Sequence, residues 1–440
     1  MQKNDAAVLV EPVSGLVLTY LLLVPMLYFS AGNGFSFDHL NSNNPVAHMG
    51  NLLIETGAGS AYSRLEKLIV NLMILLPIVS LLGPIRRKLF SRPNAALLML
   101  PAWALLSTAW SQAPASSITA AIYVVILMFL GAYLSIRFNP DRQLSFILFV
   151  GCIVIAFSLV LVAFYPAAGI EHFDGNGAWQ GMFPHKQHCG AVMTYFLVTP
   201  FCMRATGAVK RIALSCSVLL SCLLLLMSQS RTGWLMALCV LVFLGCANVS
   251  RKLGQGERWI WAAILLMAGF AAIAFAAANM SEISWLLGKE PTLSGRTRIW
   301  DAIIPTLFKR PWLGYGYTAF WIGMKGESAN VEIASNYMGF ANPESAAFGM
   351  WLDLGAVGVL LMGWMLFQSC KNAVICMWKR PSGYVTWCSS IVLLHLLALV
   401  DGDPIMYPHT IEWLLFVMAF LGLSDEARRA QGAVANVKAG

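Results

Sequence analysis

Apolar residues along this chain come in long uninterrupted runs, not in alternation. Runs of roughly 17–25 residues have the length of a helix crossing a ~30 Å hydrocarbon layer. Nothing alternates with a period of two for long enough to build a barrel. The runs predict about twelve spans, at 9–30, 65–83, 95–111, 116–136, 144–165, 188–204, 211–228, 232–249, 258–277, 346–369, 385–401 and 410–424. The first run follows a weak charged start and lacks a convincing cleavage site, which predicts a retained helix in place of a signal peptide.

One connection stands apart in length, residues 278–345. Within it Ile299, Ile303 and Leu307 recur at helical spacing, with Trp300, Ile304 and Phe308 beside them. That is the pattern of a helix lying in the membrane interface. Ser294 or Thr297 would cap its start, and Pro311 with Gly314 would end it. The polar stretch 323–337 follows, carrying Glu327, Asn330 and Glu332. No internal repeat or low-complexity linker divides the chain. Residues 1–440 therefore read as a single integral membrane domain with the large loop 278–345 inside it. The predicted fold class is an all-α polytopic membrane protein.

Composition agrees with that class. Hydrophobic residues make up 58% and charged residues 11%, against roughly 25% charged in soluble domains, and the mean hydropathy is +0.68. A net charge of +8 would suit nucleic acid or anionic lipid, but its distribution has a simpler cause. With the N-terminus in the cytoplasm, Arg86, Arg87, Lys88, Arg92, Arg137, Arg142, Arg204, Lys210 and Arg211 fall inside. Arg251, Lys252, Arg258, Lys371, Lys379, Arg380, Arg428, Arg429 and Lys438 follow them. The outer connections 112–115 and 402–409 carry no Lys or Arg. This asymmetry predicts cytoplasmic N- and C-termini and an extracytoplasmic long loop, and no nucleic-acid partner. The ten cysteines lie mostly in apolar runs, none in the long loop, and no pair has metal-ligand spacing. They read as small apolar side chains, and neither a metal site nor a cofactor is expected.

Three outward clusters carry candidate chemistry. Trp179-Gln-Gly-Met-Phe-Pro184-His185-Lys186-Gln-His188 enters the sixth span with two imidazoles and an ammonium, able to bind phosphate or handle a proton. Ordinary interfacial anchoring is the alternative. Ser228-Gln-Ser-Arg231-Thr-Gly233 puts an arginine on the side this chain otherwise keeps free of them, although one arginine can snorkel. Arg296 and Arg298 open the interfacial helix. A guanidinium grips phosphate through two parallel N–H donors, so these arginines with Arg231 suit a diphosphate at the membrane surface. Lipid-headgroup binding without catalysis is the alternative. Glu344 sits where the long loop re-enters the membrane, and Asp353 lies inside the tenth span, as a functional group or as a helix partner. Asp401, Asp403 and Glu412 cluster near His409 at the last outer turn, where a cation site and a plain turn both fit.

Four stretches in order resemble the O-antigen ligases and the O-antigen and exopolysaccharide polymerases that share one membrane domain. They are Gly181–Gln187, Ser228–Arg231, Gly295-Arg296 through Trp300 to Leu313-Gly314-Tyr315-Gly316, and Glu344 through Asp353-Leu354-Gly355 to Gly358. The resemblance implies an all-helical fold of the membrane glycosyltransferase (GT-C-like) type, in a bacterial cytoplasmic (inner) membrane, with the large loop periplasmic. It implies a metal-independent, inverting transfer of glycan from polyprenyl diphosphate to an acceptor hydroxyl. Arg231, Arg296, Arg298 and Lys186 would hold the diphosphate, while Glu344, His185 and Arg298 would be catalytic. Where the family carries His-Asn at the end of the long loop, this chain has Glu344-Ser345. A carboxylate there, or His185, would then activate the acceptor. With its His-Lys-Gln turn, the chain reads as a polymerase of lipid-linked repeat units. A ligase acting on lipid A core or protein is the alternative. Expected partners are the polyprenyl-diphosphate-linked oligosaccharide, an acceptor glycan, membrane lipid and a chain-length regulator. A twelve-span transporter or flippase would instead place its charges at mid-membrane and show repeated halves. A non-catalytic scaffold would leave the exported arginines without a role.

Overall fold

A computed structural model describes residues 61–171, 177–254, 256–258, 267, 296–322, 326–335, 343, 345–402, 405–408 and 410–439. The named helices are α1 (Ala61–Ser80), α2 (Leu82–Leu89), α3 (Ala95–Leu106), α4 (Pro114–Arg137), α5 (Pro140–Phe164), α6 (Lys186–Phe201) and α7 (Ala208–Met227). They continue with α8 (Arg231–Lys252), α9 (Arg296–Leu307), α10 (Gly326–Ser335), α11 (Ala346–Lys379), α12 (Gly383–Ala398) and α13 (Ile411–Ala439). Each expected span from 65–83 to 232–249, and from 346–369 to 410–424, falls on one of these helices. The spans expected at 9–30 and 258–277 lie outside the described residues, apart from Arg258 and Met267.

Among the described residues α4, α5, α7, α8 and α11 are long and apolar enough to cross a membrane. Ile69–Ser80 and α2 are long and apolar enough only taken together, as a pair bent by 81°. Three helices are shorter than the runs predict: α3 has 12 residues, continued by a 3₁₀ turn at Ser107–Ala109, and α6 and α12 have 16 each, about 24 Å at 1.5 Å per residue.

Local chemistry sets where the helices begin. Pro114 and Pro140 open α4 and α5, where a missing N–H costs nothing. Asn139, Ser230 and Ser382 cap α5, α8 and α12 by accepting the N–H groups of Arg142, Gly233 and Val385. Burial then sorts the helices. In α13 every residue from Trp413 to Leu421 is buried, as for a helix that is apolar all round and enclosed by others. α4 packs so closely on it that a Cβ on Gly131 would lie 2.7 Å from Val417 Cγ1. α7 and α8 instead expose Leu219, Leu226, Leu235, Leu238 and Val242. So many bare leucines form a surface suited to lipid, not water.

The two ends of the bundle differ in charge. At the basic end Lys88 pairs with Asp425 at 2.7 Å, Arg251 donates to Thr386 Oγ1 at 3.0 Å, and Arg258 donates to the Trp378 carbonyl at 2.8 Å. The opposite end gathers the starts of α4, α6, α8, α11 and α13. There Thr232 Oγ1 donates to Asp401 Oδ2 at 2.6 Å, and Ser345 Oγ donates to the Leu399 carbonyl at 2.8 Å. The charge asymmetry read from the sequence is thus a property of the folded bundle.

At this second end the segment 311–320 is stitched into α11. Gly355 takes φ +68° and ψ −172° and interrupts the helix. The freed carbonyls of Leu352 and Asp353 accept the N–H groups of Tyr315 and Gly316 at 2.8 and 2.9 Å. Ala356 and Val357 donate to the carbonyls of Pro311 and Trp312 at 2.8 and 3.4 Å. The Leu354 carbonyl accepts from Trp103 Nε1 at 3.1 Å. A broken helix inside a bilayer needs such partners for its backbone, because lipid offers none. The segment is anchored on its other side as well: Gln112 N–H donates to the Tyr315 carbonyl, Ser117 Oγ to the Tyr317 carbonyl, and Tyr317 OH to the Met406 carbonyl.

Candidate functional site

Glu171 lies in the connection from α5 to α6, after a short turn at Pro166–Gly169. Its N–H donates to the Ala178 carbonyl at 2.8 Å, and Ile170 and Trp179 form a β-bridge beside it. The turn then closes on α5. Gly181, at φ +62°, sits where a Cβ would lie 2.7 Å from Ser158 Cβ. This folding brings the His185-Lys186 turn back onto Glu171. His185 Nε2 lies 2.9 Å from Glu171 Oε1, and Lys186 Nζ lies 3.2 Å from Oε2. His185 also caps α6, its Nδ1 accepting the Gln187 N–H at 3.2 Å. An accepting Nδ1 assigns the ring proton to Nε2, which donates to the carboxylate. Glu171 is only 6% exposed. Burial pushes its carboxyl up, but the His185 hydrogen bond and the nearby Lys186 ammonium outweigh that and hold it below the ordinary carboxylate value.

The start of α8 rests directly on the start of α6. A Cβ on Gly190 would lie 2.5 Å from Ser230 Cβ, and one on Gly233 would lie 3.0 Å from the Gly190 carbonyl carbon. Thr194 Oγ1 spans the crossing, donating to the carbonyls of Gly190 and Gly233 at 3.0 and 3.3 Å. The Trp179 N–H donates to the Met227 carbonyl at 2.9 Å, which docks the His185 loop on the end of α7. The first two sequence clusters are therefore one structural unit. Arg231 is the first residue of α8 and its side chain is exposed.

A run of contacts continues from Arg231 to the third cluster. Thr232 bonds Asp401, the Leu399 carbonyl accepts from Ser345 and Ala347, and Trp300 Nε1 donates to the Pro343 carbonyl at 3.0 Å. Ile299, Ile303 and Leu307 of α9 are buried with Tyr315, Phe320 and Leu352, as their spacing predicts. Phe308 and Ile304 are exposed beside them. Arg298 is exposed on the same helix. Arg296 opens α9, and its side chain lies outside the described residues, as do Glu344, Asp403 and His409. Glu412 begins α13, its Oε1 3.9 Å from His188 Nδ1.

Two further candidate residues have close partners. Asp353 accepts the Thr318 N–H at 3.0 Å, so it anchors the stitched segment. Lys186 is only 12% exposed and carries its charge against Glu171. Glu171 itself escapes a motif-based reading. Its one signal is that it stands, with Asp174, just before the Gly-rich reversal 175–181 that leads to the His-Lys turn.

Similarity to known proteins covers part of this site and both ends of α8. Residues 216–363 match the O-antigen ligase family model. That span contains Arg231, Arg298, the stitched segment and the break in α11. The exopolysaccharide production protein ExoQ of Rhizobium meliloti (strain 1021) is 26% identical over 219 residues, 48% of this chain and 49% of that protein. The chain thus aligns over about half the length of this curated relative. Both matches support the resemblance to O-antigen ligases and exopolysaccharide polymerases.

Proposed function

We propose that this chain polymerises lipid-linked oligosaccharide repeat units at the outer face of a bacterial inner membrane. In that reaction an acceptor sugar hydroxyl attacks the anomeric carbon of a glycan carried on polyprenyl diphosphate. The glycosyl bond to the diphosphate breaks with inversion, and charge develops on the leaving group. Fixed cations at that position lower the barrier. Arg231 and Arg298, with Arg296 and Lys186, fill this role without a metal. Glu344 or His185 takes the acceptor proton.

One observation supports this reading above the others. Arg231 and Arg298 are exposed on helix starts at the end opposite the Lys88, Arg251 and Arg258 contacts, the end whose short connections otherwise lack Lys and Arg. The family match supports transfer to a lipid A core or protein as a second reading, in which only the acceptor differs.

Complementation separates these readings. Wild type in a polymerase-deficient strain should restore long polymer, while Arg298→Ala and Glu344→Ala, expressed at equal level, should leave single repeat units. Full-length polymer from both variants would remove the proposed site. Single repeats attached to lipid A core by wild type would favour the ligase.

A further inference from the structure

We infer that Glu171 is a positioning residue of this site, fixing the ring of His185 and, through the α6–α8 crossing, the start of α8 that carries Arg231. The inference rests on the glycosyl-transfer reading above. It starts from a carboxylate that is 6% exposed and uses both oxygens, one on His185 Nε2 at 2.9 Å and one on Lys186 Nζ at 3.2 Å. Those two partners are the cap and the first residue of α6. One carboxylate thereby ties the start of a bundle helix to the α5–α6 connection.

The tie reaches Arg231 through main chain, which transmits displacement better than flexible side chains do. Gly190 stands one turn into α6, against Ser230 and Gly233. Thr194 bonds the carbonyls on both sides of that contact. A shift or rotation of the α6 start would therefore carry Ser230, the cap of α8, and with it Arg231. Glu171 does not itself meet the substrate in this scheme. It orients Lys186 and keeps Arg231 in place.

The ring nitrogens of His185 make the inference observable apart from catalysis. With Nδ1 accepting from Gln187 and Nε2 donating to Glu171, the neutral ring holds one tautomer. Nitrogen-15 NMR of histidine-labelled protein in lipid nanodiscs, with His185 assigned by comparison with His185→Asn, should show a protonated Nε2 and a bare Nδ1 in wild type. In Glu171→Gln that population should become mixed. Turnover of a lipid-linked repeat unit by Glu171→Gln should fall about 100-fold in kcat, the loss expected for misplaced reacting groups, with little change in acceptor KM.

A wild-type ring protonated on Nδ1, or a Glu171→Gln spectrum identical to wild type, would overturn the inference. Full activity in Glu171→Gln would overturn it too, while leaving the polymerase reading intact. If wild type itself makes no polymer, the functional reading fails, and the tautomer measurement alone decides whether Glu171 positions His185. Should Glu171→Gln fail to fold, the wild-type tautomer still decides between the two outcomes.

Discussion

Gly355 lies flat against Trp312: a Cβ added to Gly355 would stand 2.2 Å from the Trp312 carbonyl oxygen. The contact exists because α11 opens there and main chain from another part of the sequence fills the gap. Gly355→Ala adds a methyl into backbone atoms and forces a side chain onto φ +68°. Left-handed strain alone costs roughly 1–3 kcal/mol, and the clash adds to it. Gly355→Ala should therefore lower the detergent-solubilised melting temperature strongly or abolish folded yield. Gly245 of α8 has nothing within 4 Å of its Cβ position. Gly245→Ala should be neutral or slightly stabilising, and equal melting of the two variants would refute the packing argument.

Asp353 offers a finer test of the same joint. Its Oδ2 accepts the Thr318 N–H at 3.0 Å, at a residue held at φ +52°. Asp353→Asn keeps an acceptor and should stay close to wild type in stability. Asp353→Ala strands a buried amide, a loss of about 1–3 kcal/mol. Chemical denaturation of the two variants measures the gap. Equal destabilisation would mean that the negative charge, not the hydrogen bond, does the holding.

The two exposed arginines should separate activity from stability. Neither Arg231 nor Arg298 is buried, so alanine at either should leave melting within about 0.5 kcal/mol of wild type. Turnover should drop by roughly 10²–10³-fold, as when a fixed transition-state donor is removed. Lysine should restore only part of it, because a point charge lacks the paired donors. Assay of lipid-linked repeat consumption beside thermal melting gives both quantities from one preparation.

Glu171 predicts a pH dependence with a definite sign. Burial raises its carboxyl, yet His185 and Lys186 prevail and leave it below the ordinary 4.5. A carboxyl depressed on folding contributes stability above its unfolded value, and that contribution is lost as pH falls through the depressed one. Melting temperature should therefore fall below about pH 4.5 more steeply in wild type than in Glu171→Gln, the slope following proton uptake. Parallel curves from pH 7 down to pH 3 would show that Glu171 carries none of the acid sensitivity. The Lys309–Glu327 pair, 2.7 Å apart with Lys309 half exposed, should change the curve little.

Much of this fold is legible in the residues, for physical reasons. A helix in lipid must be apolar for its whole length, so the helices of the bundle stand out in composition. Charge marks the basic end because Lys88, Arg251 and Arg258 sit together there. The stripe Ile299, Ile303, Leu307 is legible because burial on one helical face leaves a period. The break at Gly355 and its partners at 311–316 are not legible, because main-chain hydrogen bonds between distant segments leave no side-chain pattern. Gly314 and Gly355 mark the places without naming each other. The apolar run overstates the length of α3 for a related reason. Trp103 and Ser107 are apolar-run residues by position, yet they bond the Leu354 carbonyl and the Tyr317 N–H, and at Ser107 the α-helix gives way to a 3₁₀ turn. Glu171 escapes sequence reasoning because its partners come from a turn whose path the sequence does not display.

The joint at Gly355 also bears on how the protein is made. Residues 311–316 leave the ribosome before α11 does, and the Tyr315 and Gly316 N–H groups have no helix of their own to occupy them. When α11 is inserted, the donors for Leu352 and Asp353 are already synthesised on the preceding connection. Order of synthesis thus supplies the donors before the carbonyls that need them. A circular permutant opened between Ser335 and Ser345 would reverse that order, presenting a broken helix to the bilayer before the main chain that completes it exists.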